Sequence, residues 1–313
     1  MNSRTIEEAC RSACEAIGVI YKPIPADGVF HVANLANDHK GKNDGRIKIF
    51  SDRLGGIAWN HKSGDKQTFF VNNHSPTGES MPQAERDRIQ REQQRRADEL
   101  KNRQNKAAHR ARSIWQAAPP APVDHPYLLR KQIKPHGLRL GTWQRTIQDD
   151  NGKHHKLMID NALLLPLYDE KGEICSLQAI FTETHPDLNR DKDFMPGGSV
   201  AGLFWWIGAK TDKVLICEGY ATAATLHEES GYLVFMAFTA NNLMAVGGIV
   251  RKKLADADIV FCADNDLKTK GNPGLTKATE AAEAVGGSIA APPIQGDFND
   301  YAIQLRGAGY DSE

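Results

Sequence analysis

No apolar run in these 313 residues approaches the roughly 18 needed to cross a bilayer, which excludes a helical membrane span. Cysteine is scarce. The five are scattered and odd in number, so they form no disulfide framework. Cys10 and Cys14 are followed by no second pair, which leaves them as core residues rather than half of a zinc site. His31, His39, His61 and His74 lack ligand spacing, so no zinc is expected. A Gly-x-x-x-x-Gly-Lys-Ser/Thr phosphate loop is missing, and with it a helicase motor of that type. The first residues carry no continuous apolar segment, so no secretory signal is read there and a reduced, cytoplasmic setting is expected.

Net charge is also missing, because 39 basic side chains meet 39 acidic ones. The balance hides a polarity along the chain. Residues 82–113 carry 10 basic and 5 acidic side chains, whereas residues 211–313 carry 8 basic and 14 acidic. That pattern suits an acidic part that holds metal and a basic part that meets phosphate, although an ordinary solvated helix would give the same basic stretch.

Four segments follow from composition and periodicity. Residues 1–78 read as a small α+β domain, with a capping box at Thr5 and Glu8, a helix ended by Gly18, and short β-rich runs at Val29–Val32, Arg46–Phe50 and Gly56–Trp59. Residues 79–122 read as a polar, basic helix closed by a Pro-rich linker; polar nearly all round, it is expected to bridge domains rather than enter a core. Residues 123–210 read as an antiparallel sheet with loops, including strands at Ala162–Leu167, Ile174–Ile180 and Leu203–Ile207. From 211 to 313 strands alternate with helices, which predicts a parallel four-stranded sheet with helices on its faces.

In such a sheet, ligands bind beyond the carboxyl ends of the strands. Glu218 directly follows the strand Val214–Cys217, Asp264 and Asp266 follow Ile259–Cys262, and Asp297 and Asp300 follow Ser288–Ala291. Crowded carboxylates repel, and a cation stabilises them together. An all-oxygen donor set selects Mg²⁺ or Mn²⁺ over zinc, and such ions take up phosphate oxygens from substrate. Gly219 is read as room for the backbone to turn beside a metal or phosphate. Lys192 and Lys277 are either solvated surface lysines or contacts to nucleotide or template phosphates. Trp205, Trp206 and Tyr127 are either core residues or stacking surfaces for bases.

Strand-Glu-Gly followed by strand-Asp-x-Asp resembles the Toprim domain. Glu218-Gly219-Tyr220-Ala221-Thr222-Ala223 resembles the EGYATA motif of conjugative-plasmid and satellite-phage alpha-type primases. Asn272-Pro273-Gly274, Asp297-Phe298-Asn299-Asp300, His125-Pro126-Tyr127-Leu128 and Phe194-Met195-Pro196-Gly197-Gly198 extend the resemblance over roughly residues 120–305. It implies a Rossmann-like Toprim domain at 211–313, preceded by an α+β subdomain, the helical linker and a zinc-free relative of a template-binding module. It also implies a Mg²⁺-dependent primase that joins ribonucleoside triphosphates on single-stranded DNA beside a separate replicative helicase. Glu218 would be the metal-linked acid/base, with Asp264 and Asp266 the principal ligands and Asp297 supporting them. Asp300 would be an outer contact or the cap of the last helix. The same acids would serve a Toprim nuclease, and the absent zinc module would suit a weakly catalytic DNA-binding accessory protein. One departure from DnaG-type primases is Thr222, where they carry aspartate; the plasmid group shares the threonine.

Overall fold

In the computed structural model of the chain, Thr5 caps α1 (Ile6–Ala16): its Oγ1 accepts from the Glu8 amide, and the Glu8 carboxylate accepts from the Thr5 amide. The structure describes residues 5–36, 43–71, 83–148, 152–267, 269 and 271–310, and of residues 83–86, 89 and 308–310 the backbone alone. Two compact units are present, residues 1–98 and 99–313.

In the first unit, α1 buries Ile6, Ala9, Cys10, Ala13 and Cys14 against β1 (His31–Ala33), β2 (Gly45–Ile49), β3 (Gly55–Asn60) and β4 (Lys66–Phe70). These strands form one antiparallel sheet in sequential order. Ile47 and Ile49 face the core, while Arg46 and Lys48 alternate outward, the two-residue period of a half-buried strand. Gly56 is required where β3 passes its neighbours, since a Cβ there would lie 2.2 Å from the Lys48 carbonyl oxygen. The expected end of this domain near Asn73 lies outside the described residues, as do His39 and His74.

The long helix α2 (Gln83–Ala117) ends at the Pro-rich run. Contrary to expectation, its last turns are core. Ala107, Ala111 and Trp115 are buried in the main cluster of the second unit. They recur every four residues and two are alanines, so they make a narrow stripe that a search for a wide apolar face overlooks. Next come α3 (Pro126–Lys131) and an antiparallel sheet of β5 (Arg139–Gln148), β6 (His154–Tyr168), β7 (Ile174–His185) and β8 (Arg190–Phe194). The Trp143 indole on β5 donates to the Asp193 carboxylate on β8 at 2.9 Å, so the outer strands of this sheet curl toward each other. β8 escapes detection in the sequence because the one buried residue of Arg-Asp-Lys-Asp-Phe is an aspartate, not an apolar side chain.

The remaining elements are β9 (Trp205–Ile207), β10 (Lys213–Cys217), α4 (Tyr220–Ser230), β11 (Leu233–Met236), α5 (Leu243–Lys253), β12 (Asp258–Cys262), α6 (Pro273–Val285), β13 (Ser288–Ala290) and α7 (Phe298–Tyr310). Their sheet has five strands and is mixed, in the order β13-β12-β10-β11-β9. Four strands run parallel, and β9 is antiparallel, pairing Trp205, Trp206 and Ile207 with Met236, Phe235 and Val234. This corrects the four-stranded parallel sheet and moves Leu203–Ile207 out of the preceding antiparallel half. An apolar strand declares that it is buried, not which sheet it joins. Along β10, Val214 and Ile216 pack beneath α5 and α6, while Leu215 and Cys217 join the core that α4 shares with β5–β8. One core therefore serves both sheets of the second unit.

Trp115 ties α2 into that core. Its ring meets Trp205 edge-on at 6.2 Å, and the Arg139 guanidinium lies 4.7 Å from its centroid. Trp115→Ala is expected to cost about 3–5 kcal/mol. Urea unfolding followed by circular dichroism checks this, the midpoint falling while the slope is unchanged.

Candidate functional site

After Lys213, β10 is apolar to its end at Cys217, so Glu218 is the first side chain free to leave the sheet at its carboxyl edge. The backbone N–H of Ala240, which opens the 3₁₀ turn Ala240–Asn242 after β11, lowers the proton affinity of its carboxylate. Asn242 anchors that turn, donating to the carbonyls of Leu203 and Ala237 and accepting from the Gly202 amide. Phe238 reaches the turn at φ 67°, a left-handed conformation that a bulky residue adopts only under tertiary constraint, and it packs edge-on against Phe194 of β8.

The loop after β12 carries Asp264 and Asp266 on either side of Asn265. Asn265 holds this loop to the segment before α7. Its amide group donates to the carbonyls of Pro292 and Ile294, at 3.1 and 3.0 Å, and its backbone forms a two-way bridge with Gly296. Its side-chain oxygen accepts from Asn272, whose own Oδ1 accepts from the Asp266 amide at 2.9 Å. Asn272 then opens α6, with Pro273 at the first helical position. Gly274 passes so close that a Cβ there would lie 3.0 Å from the Asp264 carbonyl oxygen and 3.3 Å from Glu218 Oε1.

Asp297 precedes α7. It and Asp300 form a capping box: the Asp300 amide donates to Asp297 Oδ1 at 2.9 Å, and the Asp297 amide to Asp300 Oδ2 at 3.3 Å. The other Asp300 oxygen accepts from Lys131 at 3.1 Å. Asn299, fully buried, ties α7 to α3 and α4 by donating to the Lys131 carbonyl and to Thr225 Oγ1.

Burial raises the Glu218 pKa, an effect that the Ala240 amide and Lys192 oppose and Asp266 reinforces. Asp264 is pushed up to about 7, first by burial and then by the charges of Glu218, Asp297 and Asp266, with Lys192 again opposing. Its Oδ1 is out of solvent contact and has no hydrogen-bond partner. Lys192, on β8 of the other sheet, is thus the positive charge felt by both acids. The structure brings Glu218, Asp264, Asp266, Asp297 and Lys192 into one electrostatic neighbourhood.

Other sequence candidates lie elsewhere. Lys277 pairs with Glu280 on its own helix at 2.6 Å, a solvated surface arrangement. Gly219 has φ −109° and ψ 158°, ordinary extended backbone, so it is not needed for a turn; a Cβ there would meet nothing within 4 Å. Tyr127 is 1% exposed and Trp205 is buried between Trp115 and Tyr168, which rules out both as stacking surfaces; Trp206 is half-exposed. Ala240, Asn265, Asn272 and Gly274 were given no role by the sequence. The Asn-Pro-Gly start of a helix straight after the acidic loop was a local signal for the last two, whereas nothing local marks an amide donor at Ala240.

The donor chemistry fits a hard divalent cation. The acids are all carboxylates, and one buried oxygen is unpaired. Among the described residues no three His, Cys, Asp or Glu side chains stand close enough to hold one ion as they are. Unneutralised carboxylates repel, and a bound cation would draw them together. In the same unit, Arg110, Arg145 and Arg190 line a cleft of about 520 Å³ between α2, β5 and β8. Buried Asp193 orients two of them, Arg190 at 3.0 Å and Arg145 at 3.5 Å.

Residues 213–308 match the Toprim domain family, so the chain carries a Toprim domain from β10 into α7. Over the whole chain there is similarity to two forms of DNA primase TraC from Escherichia coli. One is 27% identical over 319 residues, which cover 96% of this chain and 28% of that protein. The other is 27% identical over 303 residues, which cover 89% and 20%. The chain thus spans under a third of the length of either relative. Among solved structures, the DnaG primase catalytic domain bound to ssDNA aligns with a TM-score of 0.46 at 10% identity, over 67% of this chain and 78% of that one.

Asp264 is protonated in the fold at pH values where it is ionised in the unfolded chain. Stability therefore falls as pH rises from about 3.8 through about 7. Asp264→Asn, measured by thermal melting in EDTA, is expected to melt above the wild type at pH 8, with the gap closing toward pH 5. Added Mg²⁺ should raise the melting temperature of the wild type and leave that of the variant where it was. Asn265→Ala should keep the fold but weaken Mg²⁺ binding by about 10-fold or more, as loss of a residue that orients ligands does, read by calorimetric titration.

Proposed function

We propose that this chain is the catalytic part of a DNA primase of the mobile-element type, joining ribonucleoside triphosphates on a single-stranded DNA template. The observation that carries this reading is the convergence of Glu218, Asp264, Asp266 and Asp297 at the carboxyl edge of a Toprim sheet, with one buried Asp264 oxygen unpaired. Similarity to the TraC primases supports it over the length of the chain. The Glu218–Ala223 string, which resembles the EGYATA motif, supports the conjugative-plasmid and satellite-phage alpha-type group.

Asp264 and Asp266 would hold Mg²⁺ or Mn²⁺, with Asp297 in support. When bound, the ion would align the attacking oxygen and neutralise the leaving pyrophosphate. Glu218 is suited to take up the proton of the attacking hydroxyl, because burial has raised its proton affinity toward the working range. Lys192 would meet the phosphates of the incoming nucleotide, its charge already felt by the two acids. Arg110, Arg145 and Arg190 would carry the backbone of a bound strand along their cleft. A separate helicase would open duplex DNA ahead of the site, and the working compartment would be the cytoplasm.

The test combines ribonucleotides, Mg²⁺ and single-stranded DNA, and compares the wild type with Glu218→Gln and Asp264→Asn. Oligoribonucleotide synthesis by the wild type, reduced about 10²- to 10⁴-fold in Glu218→Gln, is the expected result. DNA shortened in the absence of nucleotides would instead identify a nuclease. Strand binding that survives both substitutions with neither product would identify an accessory protein.

A further inference from the structure

The arginine cleft of the second unit lies across β8 from the acids. Lys192 and Asp193 are neighbours on that strand, and successive residues of a strand lie on opposite faces. Lys192 is the charge felt by Glu218 and Asp264, whereas Asp193 meets Arg145 and Arg190. β8 is the last strand of its sheet, so among the described residues no further strand pairs with its outer edge. A short ligand can therefore pass over that edge and reach both faces.

The cleft is arranged for concentrated negative charge. Asp193 is 4% exposed; one of its oxygens takes Arg190, and the other takes Arg145 and the Trp143 indole. Two guanidiniums from different strands thus converge on one point, and holding them there in advance lowers the entropy cost of binding. Arg110, from α2, lines the same cleft with no hydrogen bond or ion pair of its own among the described residues. Three guanidiniums against one carboxylate leave a surplus of two positive charges. Phe194 and Met195 add apolar lining and Thr146 a hydroxyl, in a space of about 520 Å³, the size of a small-molecule pocket.

We infer that this cleft holds the 5′-triphosphate of the first ribonucleotide, whose 3′-hydroxyl reaches over β8 to the acids. A diester backbone carries one charge per nucleotide, strung along its length. A 5′-triphosphate gathers several at one end, and guanidiniums pair with its oxygens in bidentate fashion. The joining reaction leaves that end intact. The 3′-oxygen of the first nucleotide bonds to the α-phosphorus of the second, pyrophosphate leaves from the second, and the hydroxyl proton passes to Glu218. The first nucleotide keeps its three phosphates, so the strand carried by this cleft is the new RNA, held by its 5′ end. That the triphosphate belongs to a ribonucleotide rests on the primase reading; that the cleft takes a compact polyanion does not.

Calorimetric titration of the full chain in EDTA tests this, because without a divalent ion the acids repel a triphosphate. The probes are an RNA dinucleotide with a 5′-triphosphate, the same dinucleotide with a 5′-hydroxyl, and inorganic tripolyphosphate. The wild type should bind the triphosphate form about 100-fold more tightly than the hydroxyl form. Arg190→Gln and, separately, Arg110→Gln should each cut that preference about 10-fold, the loss of one charged hydrogen bond. Arg110 is exposed, so its variant keeps the test valid if Arg190→Gln fails to fold. Lys192→Gln should keep the preference of the wild type. Equal affinity for the two dinucleotides, or a preference that Lys192→Gln removes and the folded arginine variants keep, would overturn the site. Tripolyphosphate that binds as tightly as the triphosphate dinucleotide would overturn its assignment to a nucleotide. A chain that makes no primer yet discriminates 5′ ends through Arg110 and Arg190 removes the primase reading and leaves the site. A chain that primes without such discrimination removes the site alone.

Discussion

Like charges held together in a half-buried place set the terms for the second unit. Glu218, Asp264 and Asp297 leave the sheet at one edge, where burial and mutual repulsion both disfavour ionisation, and the result is an aspartic acid that titrates near neutrality. Nothing in a parallel sheet relieves that repulsion by itself. Relief comes from Lys192, which belongs to β8 of the antiparallel sheet, and from the Ala240 amide, presented by a backbone forced into the left-handed region at Phe238. The site therefore depends on the two sheets being held together.

That joining is done by packing. Leu215 and Cys217 from the mixed sheet, Leu163–Leu165 from the antiparallel one, Tyr220 from α4 and Trp115 from α2 belong to a single buried cluster. β9 crosses from one half to the other, and its Trp205 lies between Trp115 and Tyr168. A core of this kind is close-packed and stiff, which suits a site in which four acids from three loops must keep their places. Polar bonds do the finer work: Asn265 ties the loop after β12 to the segment before α7, and Asn299 ties α7 to α3 and α4. In the first unit the same alternation of buried and outward residues has a different outcome, because no described element covers the outer face of β1–β4.

Much of this was legible along the chain. β10, β12 and the helices between them follow from apolar runs of strand length alternating with helix-forming segments, and the strand-end rule puts Glu218, Asp264 and Asp266 at the functional edge before any coordinates are seen. The α1 capping box is equally local, since Thr5 and Glu8 are three residues apart. Other features were not legible. The last turns of α2 are core, although alanine barely registers as apolar, and β8 is a strand although its buried residue is Asp193. Tyr127 and Trp205 could have been stacking surfaces or core until their burial was seen.

The sequence alone determined which chemistry was present: an all-carboxylate set at the ends of buried strands, a basic middle and an acidic end, with no cysteine pairs for zinc. Those are properties of residue type and short spacing, which local periodicity fixes. Tertiary structure decided which charges meet. Lys192 and Asp264 are 72 residues apart, a side chain at Gly274 would crowd Glu218 across 56, and β9 joins the second sheet rather than the first. Such pairings arise from long-range packing of a shared core, and no window short enough to show a period can contain them.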